Sequence, residues 1–565
     1  MRTPICIITA IIFGLMSSTM PVQATSAPSR GYFISIDGLQ PKLLESWIAG
    51  PEANPAGLRS LWHRGAVYPA TKSHVISITA ASHAGTSTCA SPSRHGITGN
   101  HFLQGGKRVS GFKVPFQAET MWEAARRQGK KVASFAYAGM DGATPARTSD
   151  VGITYPDETR MGKPQIVTIA RGDRTPVEIR VTLNPATGKD ILLQFSNVGG
   201  KTVVAYRTAT GEAKEVNAPT LSQNASGDHV TNIFANDGER LRRIVIRPVR
   251  AKTPSWLVSR ASYNEAFPES FRKKLDDAGL VWPDVNIKGM DIDLTPSETV
   301  VVQGILDDFI ADVASRTIKE SSPDIVLFYQ PLIDSTGHGF QNKLPDPSSL
   351  NHRDPVTMAF RAAFRRVDDN VARVLATSAK QDIIALMGDH GMTATRAIFN
   401  VAPVLPPHID QAVEVYASDS MLYLYPKAGE QNPLLIKNAG ESVREALAKV
   451  TFEGQPVVEM VAERANFKQA TWPYGESMWA FRSADGIWFN NNAIEKETFL
   501  PPKVPGMHGH DPDSPSMRTA MIFRGPGVKP GIHREELVSL VQAVPTFARL
   551  LNLQIPRDCE GTPVF

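Results

Sequence analysis

The feature that most constrains the fold is an alternation of short apolar strands with amphipathic helical segments, present in both terminal parts of the chain and broken once in between. Residues 31–37 read as a buried strand ending in an Asp-Gly turn, followed by helical patterns over 41–48 and 56–64. A helix over 119–128 then precedes a second buried strand over 131–137. The rhythm returns with an amphipathic helix over 297–317, a strand over 325–329, a helix over 356–377 and a strand over 383–387. Later come strands over 421–425 and 520–523 and helices over 441–450 and 537–551. Strands alternating with helices predict the α/β class, a mostly parallel central sheet flanked by helices.

The interruption runs from about residue 165 to residue 249. Alternating β-branched runs at 166–170, 177–181, 191–195, 202–206 and 241–249 are separated by Gly, Asn and Asp clusters, and no long helix intervenes. This pattern predicts an antiparallel, β-rich insertion. The expected organisation is one α/β domain made of residues 25–160 and 290–565, an inserted domain over 161–255, and a connector over 256–289 that carries a helix near 269–278.

Composition excludes several classes. At 42% hydrophobic and 21% charged residues the chain is an ordinary globular one, not a disordered or coiled-coil sequence. The net charge is +4, or +3 once Arg2 leaves with the leader, and no Lys/Arg run clusters. Nucleic-acid polymers and anionic membrane surfaces are therefore not the expected partners. Arg2, the apolar stretch over 5–16 and Val22-Gln23-Ala24 read as a signal peptide over residues 1–24, which places the mature chain in the periplasm or outside the cell. The apolar stretch is too short to cross a bilayer, which takes about 20 residues, and no later segment approaches that length. Cys6 leaves with the leader, and the remaining Cys89 and Cys559 are compatible with one disulfide or with two buried thiols.

Asp and His residues recur where the expected strands end. Asp37 closes the first, Asp334 and His338 follow the strand at 325–329, and Asp389-His390 follow the strand at 383–387. His508 lies in Gly506-Met507-His508-Gly509-His510-Asp511, ahead of the strand at 520–523. Ligands of parallel sheets collect beyond the carboxyl ends of the strands, and a mixed imidazole and carboxylate set there suits a pair of zinc ions. Thr79 opens a helical segment, so its hydroxyl is either a helix cap or a nucleophile acidified by a nearby cation, and the two roles are compatible.

The ordered set Asp37, Thr79, Asp334-x-x-x-His338, Asp389-His390 and His508 resembles the alkaline phosphatase superfamily. Within it, the segment from Thr79 to Asn100 and the Gly-Asp-His-Gly-Met and His-Gly-x-Asp runs resemble the nucleotide pyrophosphatase/phosphodiesterase branch. The resemblance spans 31–137 and about 297–565 and leaves the β insertion unaccounted for. It implies two Zn²⁺ per chain. Asp334, His338 and His508 would hold one, and Asp37, Asp389 and His390 the other, with Thr79 beside it as the metal-proximal nucleophile. The implied activity is hydrolysis of small phosphate diesters through a covalent phospho-threonine. Ser82 and Asn100 are the candidates for holding a phosphate oxygen.

Asn100 also resembles the corresponding residue of bacterial monoesterases of the superfamily, which makes a phosphomonoesterase the alternative. Those enzymes carry a Lys-x-Arg pair where this chain has Tyr137-Ala-Gly-Met-Asp141. A carboxylate there would repel a dianion more than a monoanion, which favours diesters unless Asp141 turns away and Arg147 substitutes. Cys89 is one residue out of register for a sulfatase motif. A non-catalytic envelope protein that kept the fold would be free to lose the ligand set, yet the set is complete. His83 and His95 are expected to pack near the Thr79 helix, His510 to lie behind the site or at the surface, and Trp472, Tyr474, Trp479 and Phe481 to be core aromatics.

Overall fold

The computed structural model describes residues 30–169, 175–198, 201–208, 213–214, 222–223, 229–249, 255–287 and 294–565, so the leader expected over 1–24 lies outside the described residues. The central sheet is built from β1 (Gly31–Ile36), β2 (Ala66–Lys72), β3 (Val132–Phe135), β4 (Val151–Thr154), β5 (Glu265–Phe267), β6 (Ile325–Gln330), β7 (Ile383–Gly388) and β8 (Thr519–Arg524), with the short strands Ile532–His533 and Val538–Ser539 beside β2. Their order is β5-β4-β3-β6-β1-β7-β8-β2. The five strands from β4 to β7 are mutually parallel, whereas β8 runs antiparallel to both β7 and β2. Strands β1, β6 and β7 are buried along their whole length, which is why they read as continuous apolar runs rather than as alternating ones.

The helices that position the site are α1 (Thr79–Thr88), α2 (Pro296–Ser321), α3 (Leu332–Phe340) and α4 (Pro355–Leu375). Helix α2 starts at a capping box in which Thr295 and Glu298 satisfy each other's backbone N–H groups. It packs on α4 through Phe309, Val313, Phe360 and Val367, and Arg366 of α4 donates to Asp308 at 2.9 Å. Asn370 extends this polar link to β6 by donating to Gln330 Oε1 at 3.0 Å.

The described strands between residues 165 and 263 form two antiparallel sheets that share a core of Leu193, Phe195, Ile244, Ile246 and Trp256. Two of their strands, His229–Asn236 and Ser255–Val258, are not evident in the sequence pattern. The expected connector over 256–289 does more than connect. Ser262–Tyr263 pairs with the inserted sheet, β5 joins the central sheet, and only then does the helix Glu269–Asp277 begin. Arg242 is fully buried beneath this junction, donating to Asp237 at 2.7 Å with its guanidinium over the Tyr263 ring at 4.4 Å.

Two helices differ from expectation for identifiable reasons. The helix expected over 441–450 begins earlier, at Pro433, because Asn432 caps it by accepting from the N–H groups of Leu434 and Leu435. The one expected over 537–551 is confined to Ala543–Leu550, since Pro545 has no N–H and must sit in a first turn, while Val538–Ser539 pairs with β2 instead.

Cys89 and Cys559 form a disulfide across a sequence separation of 470, which resolves the choice between a bridge and two thiols. The bridge ties the C-terminal tail to the end of α1, where the N–H of Glu560 also donates to the Cys89 carbonyl at 2.7 Å. Closing so long a loop restricts the unfolded chain, so Cys559→Ser is expected to lower unfolding free energy by about 2–5 kcal/mol. Denaturant melts of the variant and of the reduced wild type should then coincide.

Candidate functional site

The candidate site lies beyond the carboxyl ends of β1, β6 and β7. Asp37 follows β1, Asp334 projects from the first turn of α3 after β6, and Asp389-His390 follow β7. The crossover to α3 passes so close to the β1 turn that a Cβ on Gly38 would meet the Asp334 Cα at 2.9 Å, and Gly38 adopts φ +65°, so both space and backbone require glycine there. Its N–H donates to Asp389 Oδ1 at 3.1 Å, fastening two of the strand ends together.

The structure assembles two groups of potential ligands from distant segments, Asp37, Asp389 and His390 in one and Asp334, His390 and His508 in the other, with donor atoms of each group within 4.8 Å of one another. All are almost fully buried; Asp334 is the most accessible at 9%. His338 stands at the margin, its Nε2 3.3 Å from Asp334 Oδ2 and its ring centroid 5.1 Å from that of His508.

Each of the three site histidines is oriented by a backbone carbonyl. The contacts are His338 Nδ1 to Gly506 O at 2.7 Å, His390 Nδ1 to Gly391 O at 2.9 Å and His508 Nδ1 to Ser77 O at 3.2 Å. A carbonyl can only accept, so each Nδ1 carries a proton and Nε2 is the ring nitrogen turned toward the carboxylates. This is the arrangement that fixes a metal-binding imidazole.

The carboxylates are correspondingly undersupplied with donors. Asp37 Oδ1, Asp334 Oδ1 and Asp389 Oδ2 are buried with no hydrogen-bond partner. Burial and then the neighbouring Asp389 and Asp334 push the Asp37 carboxyl well above its ordinary range, and burial raises Asp334 as well. Burial, followed by His390 and His338, holds His508 well below the usual histidine range. Clustered buried carboxylates faced by imidazole Nε2 atoms are matched by divalent cations, so the residues present fit a metal centre.

Thr79 is the first residue of α1, with its hydroxyl 3.2 Å from His390 Nε2. It does not cap the helix. Ile78 occupies the cap position without a side-chain bond, and the N–H of Ala80 is satisfied from outside by Asn100 Oδ1 at 2.9 Å. Asn100 is thus held beside Thr79, and among the described residues its Nδ2 donor has no hydrogen-bond partner. Ser82 is different. Its hydroxyl donates back to the Ile76 carbonyl at 3.5 Å, and no hydrogen bond joins it to the cluster.

Two contributors, Tyr329 and Asp419, were not legible in the sequence. Tyr329, next to the end of β6, donates its hydroxyl to Asp37 Oδ2 in a short contact. The one available signal was a phenol at the end of a fully buried run of apolar residues, Ile325 to Phe328. His83 lies beside the Thr79 helix as expected: it donates from Nδ1 to the Thr79 carbonyl at 2.9 Å and contacts Ser35 Oγ through Nε2 at 2.9 Å, bracing the start of α1 against β1. Asp419, at a hairpin turn with φ 56°, has its carboxyl raised by burial, with the Ser418 hydroxyl that donates to it and then His338, His101 and His390 acting in the opposite sense.

Other expectations resolve as follows. Asp141 does not stand as a lone negative charge, because it accepts from Arg147 Nε at 3.0 Å, and Arg147 is itself buried over the Phe116 ring at 4.9 Å. His510 is fully buried rather than at the surface. Trp472 and Tyr474 pack with Tyr423 in one apolar cluster, and Trp479 and Phe481 in another.

Among the described residues, no helix is long and apolar enough to cross a membrane. No curated protein matches the sequence. Several solved structures share the fold. Murine ectonucleotide pyrophosphatase/phosphodiesterase 5 is 11% identical, with 93% of this chain and 96% of that one covered and a TM-score of 0.51. An inactive threonine-to-alanine variant of the same murine protein in complex with AMP is 10% identical over the same shares, again with a TM-score of 0.51. Wild-type alkaline phosphatase PafA is 14% identical, with 96% and 99% covered and a TM-score of 0.52. The family profile for type I phosphodiesterase/nucleotide pyrophosphatase matches residues 32–485, a span that includes Asp37, Thr79, Asp334 and Asp389-His390. The chain belongs to this type I phosphodiesterase/nucleotide pyrophosphatase family and is a phosphoester hydrolase.

Proposed function

We propose that the chain is a periplasmic or secreted, two-zinc phosphodiesterase that acts on small phosphate diesters, nucleotide-type or similar, through a covalent intermediate on Thr79. The observation that carries this reading is the Thr79 hydroxyl, free of any capping duty, 3.2 Å from His390 beside three partnerless carboxylate oxygens. In this reading Asp37, Asp389 and His390 hold one zinc, and Asp334, His338 and His508 the other. Bound there, the cations would supply positive charge for the non-bridging phosphate oxygens and acidify nearby hydroxyls.

The chain's own residues do the rest. Thr79 Oγ, its proton passed to solvent, attacks phosphorus in line, forming a Thr79 O–P bond as the bond to the leaving oxygen breaks and that oxygen takes a proton from water; a water molecule later cleaves the Thr79 O–P bond and restores the hydroxyl. The α1 N-terminus favours negative charge at this point, and Asn100 Nδ2 is available to donate to a phosphate oxygen. Tyr329 and the three backbone carbonyls hold the ligands in orientation. The Cys89–Cys559 bridge agrees with an oxidising compartment. The AMP complex of the murine relative agrees with a phosphate ester as the small-molecule partner.

A phosphomonoesterase is the second reading, and the Asp141–Arg147 pair favours it. Once that carboxylate is neutralised, its repulsion of a dianion no longer discriminates against monoesters. Paired kinetics on zinc-loaded protein separate the two. We expect kcat/KM for bis-p-nitrophenyl phosphate to exceed that for p-nitrophenyl phosphate by at least about tenfold, equivalent to roughly 1.4 kcal/mol in transition-state stabilisation. The reverse ratio would assign the site to monoesters.

A further inference from the structure

We propose that the groove between the inserted sheet and helix α2 binds a small organic anion, a phosphate, sulfonate or carboxylate head on an apolar body, with Arg243 as the anion-binding residue. The groove encloses about 610 Å³ and shares no lining residue with the candidate active site. That volume falls within the roughly 300–1,000 Å³ of small-molecule sites. Its apolar walls come from Phe234, Leu280, Ile305 and Phe309, and Phe234 is 36% exposed although it is a large aromatic.

The electrical balance of the groove selects the sign of the ligand. Arg243 lies directly across the strand pair from Phe234 and is held by neutral acceptors, with Nε donating to Asn232 Oδ1 at 2.8 Å and Nη1 to the Val281 carbonyl at 2.8 Å. Burial lowers its pKa to about 10, and no carboxylate opposes that effect. Two acids also line the groove, and each is already matched. Asp308 accepts from Arg366 at 2.9 Å, and Asp312 accepts from Arg316 at 3.1 Å. Arg373, on the same lining, has no ion pair among the described residues. The groove therefore carries surplus positive charge, and a half-buried guanidinium held only by neutral acceptors gains from an anionic ligand that supplies a counter-charge. Guanidinium forks recognise oxyanions, and the adjoining apolar wall accommodates the rest of such a molecule.

The test is calorimetric titration of the full zinc-loaded protein with 1-naphthalenesulfonate, alongside its neutral analogue 1-naphthalenemethanol and inorganic sulfate. We expect the naphthalenesulfonate to bind most tightly of the three. Arg243→Met should weaken it by at least about tenfold, the loss of a hydrogen bond to a charged group, and Arg373→Gln by a smaller factor. Phosphoesterase kinetics should be unchanged in both variants, and a thermal melt near that of the wild type shows that each is folded. Equal affinity for the neutral analogue, or unaltered naphthalenesulfonate binding in folded Arg243→Met, would overturn the proposal. Should Arg243→Met fail to fold, Arg243→Lys serves instead, with the same loss expected in direction and the same unaltered binding counting against the site.

Discussion

Replacing Thr79 with alanine is expected to lower kcat/KM by roughly 10⁴–10⁶-fold, the scale of loss when a covalent nucleophile is removed. Zinc content and melting temperature should stay at wild-type values. The expectation rests on the division of labour at the start of α1. The N–H of Ala80 is capped by Asn100, and the Thr79 carbonyl is held by His83, so neither interaction involves the Thr79 hydroxyl. That hydroxyl contacts only His390 Nε2 among the described hydrogen bonds. Alanine is also the residue most compatible with a helix, so no loss of stability should accompany the change. Thr79→Ser keeps a hydroxyl and should retain turnover. An alanine variant that still hydrolyses the diester at a comparable rate would remove Thr79 as the nucleophile, whatever the metal content.

Acid sensitivity should be the largest effect on stability. His74 and His95 are buried around α1, and burial lowers their pKa values to about 4 and about 3 respectively. His74 contacts Thr86 Oγ1 at 3.0 Å, and His95 accepts from the Ile97 N–H through Nδ1 at 3.1 Å, which a protonated Nδ1 could not do. The unfolded chain takes up protons near pH 6.5 and the native state does not, so stability is intact above about pH 6.5 and falls below it. The slope is about 1.4 kcal/mol per pH unit for each histidine, or roughly 5 kcal/mol from the pair by pH 4.5. Denaturant midpoints taken from pH 7 to 4.5 measure the fall. His95→Asn, whose Oδ1 can still accept from the Ile97 N–H, should flatten the slope by about one histidine's share. An unchanged slope in that variant would show that His95 does not remain neutral in the native state.

Much of the site was written locally. Asp37, Asp334, Asp389 and His390 each stand within a few residues of a strand whose apolar run is plain, and Asp334 and His338 share one face of α3 because an i, i+4 spacing always does. The parallel orientation of β3, β6, β1 and β7 followed from helices separating strands. Weaker local signals failed where a single residue overrode the periodicity, as Pro545 did at the last helix and Asn432 did at the start of its own.

The sequence by itself determined the α/β class, the position of the β-rich interruption and the set of residues that meet at the sheet edge, because these depend on backbone periodicity and on turns a few residues long. Tertiary structure alone decided which side chain answers which. It paired Asp141 with Arg147, brought Asn100 to the first turn of α1, aimed Tyr329 at Asp37, gave the groove beside α2 its surplus charge and joined Cys89 to Cys559. Partners separated by tens to hundreds of residues meet only through the packing of whole elements, and no local pattern in the chain records that packing.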